Sequence, residues 1–136
     1  MALGHVLVVE DDRDLGMTLT DILEMAGYPV VTATDGKLAL AYLRDAPAPC
    51  VILLDLMMPG MDGWEFRRRQ LQDPTLCKIP VIIASGLNDL RISPEFDNVE
   101  AFFRKPYELP KLLEMVARYC TPTPGIAANE RTLVLS

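Results

Sequence analysis

A chain of 136 residues, half of them apolar, has the length of one ordinary domain and enough hydrophobic material for a single core. Nineteen acidic against thirteen basic side chains leave a net charge of −6, which argues against nucleic acid as a direct partner, since such binding normally needs clustered cations. No apolar run approaches the roughly 20 residues that span a bilayer, and no basic-then-apolar leader opens the chain, so a soluble, cytoplasmic protein is expected.

Apolar runs alternate with helical patterns along the chain. His5-Val6-Leu7-Val8-Val9 is short, β-branched and unbroken, as a strand buried on both faces should be. Leu15, Leu19, Ile22, Leu23 and Ala26 recur at helical spacing, with Gly27 as a stop. Tyr28 to Ala33 reads as a second strand, and Pro29 places it at an edge. Thr34 or Asp35 caps a helix carrying Leu38, Ala39, Ala41, Tyr42 and Leu43, which Ala46-Pro47-Ala48-Pro49 breaks.

Cys50-Val51-Ile52-Leu53-Leu54 is the third strand, followed by a turn at Pro59-Gly60-Met61-Asp62-Gly63 and a helix from Trp64 to Leu71. Pro80 to Ala84 is the fourth strand. Between Gly86 and Asn98, Pro94 implies a short or broken helix. Ala101-Phe102-Phe103 is the fifth strand. Pro110 suits the first turn of a last helix whose inner face is Leu112, Leu113, Val116 and Ala117.

Strands alternating with helices imply an α/β fold: a doubly wound, five-stranded parallel sheet with helices on both faces. Strand order 2-1-3-4-5, the flavodoxin-like arrangement, opens a crevice between strands one and three. Residues 1–120 form this domain. Residues 121–136, from Thr121-Pro122-Thr123-Pro124-Gly125 onward, read as a linker or tail, with Thr132 to Leu135 too short to be a domain; a docking tail, a stub of a longer chain and disorder all fit.

The polar residues follow the strands. Glu10-Asp11-Asp12, Asp55, Ser85 and Lys105-Pro106 each come after an apolar run. In an open parallel sheet those positions share one edge. Carboxylates gathered there repel one another, by roughly 4 kcal/mol per pair at about 4 Å and an effective dielectric near 20. Magnesium offsets this, being a hard cation with oxygen ligands that also takes phosphate. Lys105 adds a compact ammonium suited to phosphate oxygens. Asp55 can then act as a nucleophile toward phosphorus, and the Ser85 hydroxyl can bond the new phosphoryl group, which links the chemistry to a change of shape. Alone, an acid pair is a helix cap and Lys-Pro is a turn; it is the ordered set that points to a site.

The remaining polar features read as structural. Arg67-Arg68-Arg69 is a solvated helix face near Glu65. Cys50, Cys77 and Cys120 lack metal-ligand spacing and read as reduced thiols, Cys50 as a small core residue. His5 is structural.

With these motifs in view, the chain resembles the receiver domain of two-component response regulators. The resemblance runs from about His5 to Cys120, through Val8-Val9-Glu10-Asp11-Asp12, Leu53-Leu54-Asp55-Leu56-Met57-Met58-Pro59-Gly60-Met61-Asp62-Gly63, Pro80-Val81-Ile82-Ile83-Ala84-Ser85-Gly86 and Phe103-Arg104-Lys105-Pro106-Tyr107. It implies that Asp55 accepts a phosphoryl group from a phosphohistidine on a histidine kinase or phosphotransfer protein. It further implies that Asp12, Asp55 and the backbone carbonyl of Met57 contact Mg²⁺, with Asp11 acting through water. Ser85 is then the switch hydroxyl, Lys105 the phosphate-binding lysine, and Phe102 the switch aromatic, without the hydroxyl a tyrosine would carry. Met57 and Leu87 flank the site where the family tunes phosphate lifetime; both are apolar and unable to orient water, so slow hydrolysis is expected.

No output domain is expected in the chain, which reads as a stand-alone receiver or a receiver from a larger protein. Its partner is a kinase or phosphotransfer protein on one side and an unidentified protein on the other, with no nucleic acid and no membrane. It is a monomer or a phosphorylation-dependent homodimer. It is not an enzyme: an aspartyl-phosphate phosphatase would want a second acid where Met57 stands. The other alternative is a receiver-like binding module that lost phosphorylation.

Overall fold

Four consecutive residues of strand β1 (Val6–Val9) are at most 1% exposed. Their side chains alternate between two cores, Leu7 and Val9 entering one and Val6 and Val8 the other, as the two-residue period of a strand requires. The same alternation runs through β2 (Val30–Ala33), β3 (Val51–Asp55) and β4 (Val81–Ser85). Helices α2 (Gly36–Asp45) and α3 (Gly63–Gln72) cover one face with Ala39, Leu40, Leu43 and Phe66. Helices α1 (Arg13–Met25) and α4 (Leu109–Tyr119) cover the other with Leu19, Leu23, Leu112 and Val116. Strand β5 (Ala101–Arg104) pairs with β4. The structure, a computed structural model, describes residues 4–58, 60–85, 99, 101–104, 108–122 and 133–135; at Ser85, Phe102, Arg104 and Leu133 the description is of the backbone. The expected helix between Gly86 and Asn98 lies outside the described residues.

All strand pairings are parallel, and the order is β5-β4-β3-β1-β2-β6. Strands one to five therefore have the expected 2-1-3-4-5 arrangement. The sixth strand, β6 (Leu133–Leu135), comes from the tail and extends the sheet. The end of the tail docks on the sheet: Val31, Thr32 and Ala33 stand opposite Leu133, Val134 and Leu135, and the Thr34 amide donates to the Leu135 carbonyl at 3.0 Å. Strand β2, expected at the edge, is covered on that side. Pro29 sits just before β2, where a missing N–H costs the ladder nothing, and its carbonyl accepts from the Val6 amide at 2.9 Å.

Local signals set the helix limits. Gly27, with φ of 95°, ends α1; its amide donates to the Glu24 carbonyl and that of Tyr28 to the Leu23 carbonyl, at 2.9 and 3.0 Å. Beyond α3, the fully buried Gln70 amide donates to the Leu76 and Ile79 carbonyls at 3.0 and 3.1 Å. This fastens the turn that delivers β4. Arg67 donates to Gln70 Oε1 at 2.8 Å and is 3% exposed, so it departs from the expected solvated face. Arg68 and Arg69 do lie on that face, paired with Glu65. On α4, Leu112 and Val116 are buried and Leu113 half-buried, but Ala117 is exposed, one step beyond the apolar stripe.

The cysteine expectation is overturned: Cys50 and Cys120 form a disulfide, with Cα atoms 5.4 Å apart, inside the range that a bridge requires. The two are 70 residues apart in sequence, and spacing rules do not register such neighbours. Cys77 is the free thiol. Among the described residues, no helix is long and apolar enough to cross a membrane.

Candidate functional site

Because the strands are parallel, their C-terminal ends and the N-termini of the following helices meet along one edge. Glu10 directly follows β1, and its amide donates to the Ala33 carbonyl at 3.0 Å. Asp55 is the last residue of β3, opposite Ala84 of β4. Glu10 and Asp55 are each only 4% exposed, and Asp11 reaches further toward solvent. A carboxylate oxygen from each of Glu10, Asp11 and Asp55 falls within 4.8 Å of the others.

Three aspartates begin helices at this edge. Asp12, Asp35 and Asp62 accept hydrogen bonds from the amides of Leu15, Leu38 and Glu65 at 3.2, 2.8 and 2.9 Å. Each satisfies an otherwise unpaired amide of a first helical turn, and the partial positive charge of the helix N-termini favours anionic groups nearby.

Asp12, expected among the metal-contacting acids, lies at the start of α1. Its Oδ1 is engaged as the cap of α1, its own amide donates to Glu10 Oε2 at 3.2 Å, and it is not one of the three grouped carboxylates. Glu10 stands in that group instead. The signal was present in the sequence: counting back from Leu15 and Leu19 starts the helix at Arg13, which makes Asp12 the cap and leaves Glu10 and Asp11 at the strand end.

The Met57 amide donates to Asp55 Oδ1 at 3.3 Å, while its side chain is 58% exposed at the rim. Ser85 is the last residue of β4, one past the partner of Asp55, so its backbone lies at the same edge. Phe102 stands opposite Ile83 in the β4–β5 register, and Arg104 opposite Ser85. The side chains of Ser85 and Phe102, and the whole of Lys105 and Leu87, lie outside the described residues.

Gly63 fixes the backbone beneath the site. A Cβ there would lie 2.7 Å from both the Asp55 carbonyl oxygen and Leu56 Cα. The first turn of α3 thus rests directly on the chain that carries Asp55, and the Gly63 amide donates to the Leu56 carbonyl at 3.0 Å.

Two like charges at the 4.8 Å limit repel by about 3 kcal/mol at an effective dielectric near 20. An all-oxygen set with an open side toward solvent suits a hard divalent cation that retains waters, so Mg²⁺ or Mn²⁺ fits the residues present.

Residues 6–117 match the family model described as the response regulator receiver domain. The response regulator PleD of Caulobacter vibrioides is 40% identical over 108 residues, covering 77% of this chain and 23% of that protein. The chain thus spans only a part of the length of such curated relatives. A response regulator receiver protein from Pseudomonas putida superposes with a TM-score of 0.80 at 28% identity, covering 87% of this chain and 98% of that one. The Mn²⁺-bound form of response regulator Rcp1 gives 0.70 at 27% identity, covering 83% and 88%.

Proposed function

The chain belongs to the response regulator receiver domain family, and we propose that Asp55 is its phosphoacceptor, charged from a phosphohistidine on a histidine kinase or phosphotransfer protein. The observation that carries this reading is the placement of Asp55: buried at the end of β3, with Glu10 and Asp11 within 4.8 Å. In the transfer, an Asp55 carboxylate oxygen forms a bond to phosphorus as the phosphorus–nitrogen bond breaks. The donor imidazole leaves and takes up a proton. Positioning and charge neutralisation dominate such transfers.

Glu10, Asp11 and Asp55 would hold Mg²⁺, together with the Met57 carbonyl. The ion supplies positive charge for the phosphoryl oxygens. Asp12 serves as the cap that starts α1 beside them. The Met57 amide holds Asp55 in place, Lys105 contributes a second positive charge, and the Ser85 hydroxyl engages the phosphoryl group. Phe102 responds through packing alone. The grouped acids disfavour an inert binding module. We assign residues 1–120 to the receiver and 121–136 to a tail. The domain signals to a protein partner from the cytoplasm as a monomer or phosphorylation-dependent homodimer, without turnover of a substrate.

Incubation with Mg²⁺ and acetyl phosphate should add one phosphoryl group to the intact chain, at Asp55, and none to Asp55→Asn. Asp11→Asn should weaken Mg²⁺ binding at least about tenfold, an expected loss of about 1.4 kcal/mol or more. Absence of label on the wild-type chain at saturating Mg²⁺ would remove the phosphoacceptor assignment.

A further inference from the structure

The sheet has a second chemically distinctive end. Cys50 immediately precedes β3, whose far end carries Asp55, and Cys120 is the C-cap of α4. Their disulfide ties the last turn of α4 to the base of the central strand. It also fixes the point from which the tail departs toward β6.

We propose that Cys50–Cys120 is a reversible thiol–disulfide site that, when closed, secures the last turn of α4 and the origin of the β6 tail. Three observations carry this. First, the two residues differ in exposure: Cys50 is half-buried and Cys120 only 6% exposed, which favours attack by an incoming thiolate at Cys50. Second, the reduced state has a place for its proton. The His5 carbonyl lies 3.1 Å from Cys50 Sγ and can accept its S–H. Third, the bond is not what places α4 on the sheet. Leu112 and Val116 are fully buried in the core shared with Val6, Val8 and Leu53, so opening the bridge frees an end without removing a helix.

The co-reactant is a dithiol. Its thiolate attacks Cys50 Sγ, forming a mixed disulfide and releasing Cys120 as a thiolate that takes up a proton. The second thiol of the reagent then attacks its own sulfur in that mixed disulfide, and Cys50 leaves as a thiol. Two electrons pass to the protein, and the dithiol becomes a disulfide. The reverse sequence closes the site.

The test equilibrates the full chain with defined ratios of oxidised and reduced dithiothreitol, followed by acid quench, alkylation and intact mass. Under oxidising ratios one cysteine, Cys77, should alkylate on unfolding; under reducing ratios all three should, with Cys50 and Cys120 appearing together in one transition. Cys77→Ser should show the same transition. On reduction, amide exchange of residues 116–119 and 133–135 should accelerate at least about tenfold, while β1 and β3 keep their protection. The proposal is overturned if the folded chain stays closed in excess dithiol, if the pair is open under oxidising ratios, or if reduction leaves exchange at α4 and β6 unchanged. Loss of the whole fold on reduction would also overturn it, because the bridge would then be a folding staple.

Discussion

At the C-terminal end of the strands, Glu10, Asp11 and Asp55 place three carboxylates within 4.8 Å of one another. At the opposite end, the same two strands begin beside a disulfide and a His5–Tyr42 pair, whose Nε2 and hydroxyl are 2.8 Å apart. The first end gathers three carboxylates in an arrangement that could hold a divalent cation. The second closes its groups on one another: sulfur on sulfur, and a half-buried imidazole on a phenol. One sheet thus separates reactivity from restraint, because parallel strands give all reactive loops to one edge and leave the other for anchoring.

If that division holds, changes at the anchoring end should alter stability and spare phosphorylation at Asp55. The largest effect should come from opening the disulfide. For a 70-residue separation, the chain-entropy model gives a loss of about 4 kcal/mol as an upper expectation, read as a lower urea midpoint with the acetyl phosphate reaction retained. A parallel loss of labelling would break the comparison.

Gly63→Ala should act at the other end. With backbone atoms 2.7 Å from the new Cβ, relief requires α3 to move away from Asp55. Overpacking of this kind costs about 1–3 kcal/mol. Here the labelling rate should fall as well as the stability, and an unchanged rate would mean that α3 does not position Asp55.

Asp12 offers a sharper contrast inside the reactive edge. As a cap, its replacement by alanine should cost about 1 kcal/mol, and replacement by serine much less, with Mg²⁺ affinity nearly unchanged in both. A large loss of Mg²⁺ binding in Asp12→Ser, measured by Trp64 fluorescence or calorimetry, would return Asp12 to the metal site.

The smallest expected effect is at His5. Burial holds its imidazole below the ordinary value of 6.5. The folded state therefore resists a proton that the unfolded state accepts. Its contribution is complete above about pH 6.5 and declines as the pH falls below that value toward the folded pKa. His5→Gln should flatten this part of the stability profile, as followed by urea midpoints between about pH 7.5 and 5.5. A profile as steep as the wild type would place the titration elsewhere.

Much of the reactive edge was legible in the sequence because each group lies next to the strand that carries it. Asp55 ends an apolar run, and the parallel order inferred from alternating strands and helices puts that end beside Glu10 and Asp11. At the strand–helix junction the structure groups Glu10 and Asp11 with Asp55 and makes Asp12 the cap of α1, a division among three adjacent acids that the local pattern did not resolve. The buried Arg67 was hidden in a basic run because its partner Gln70 is itself a polar residue in the core.

Local pattern, by itself, determined the strands, the helices and their alternation, since those follow from periods of two and 3.6 residues; right-handed crossovers and the common doubly wound order then narrowed the topology and the edge at which the acids meet. Only the tertiary structure decided that Cys50 meets Cys120, that His5 meets Tyr42 and that Leu133–Leu135 pairs with β2. Those contacts join segments far apart in the chain, and no local preference encodes which distant surfaces the packing of helices on a sheet will bring together.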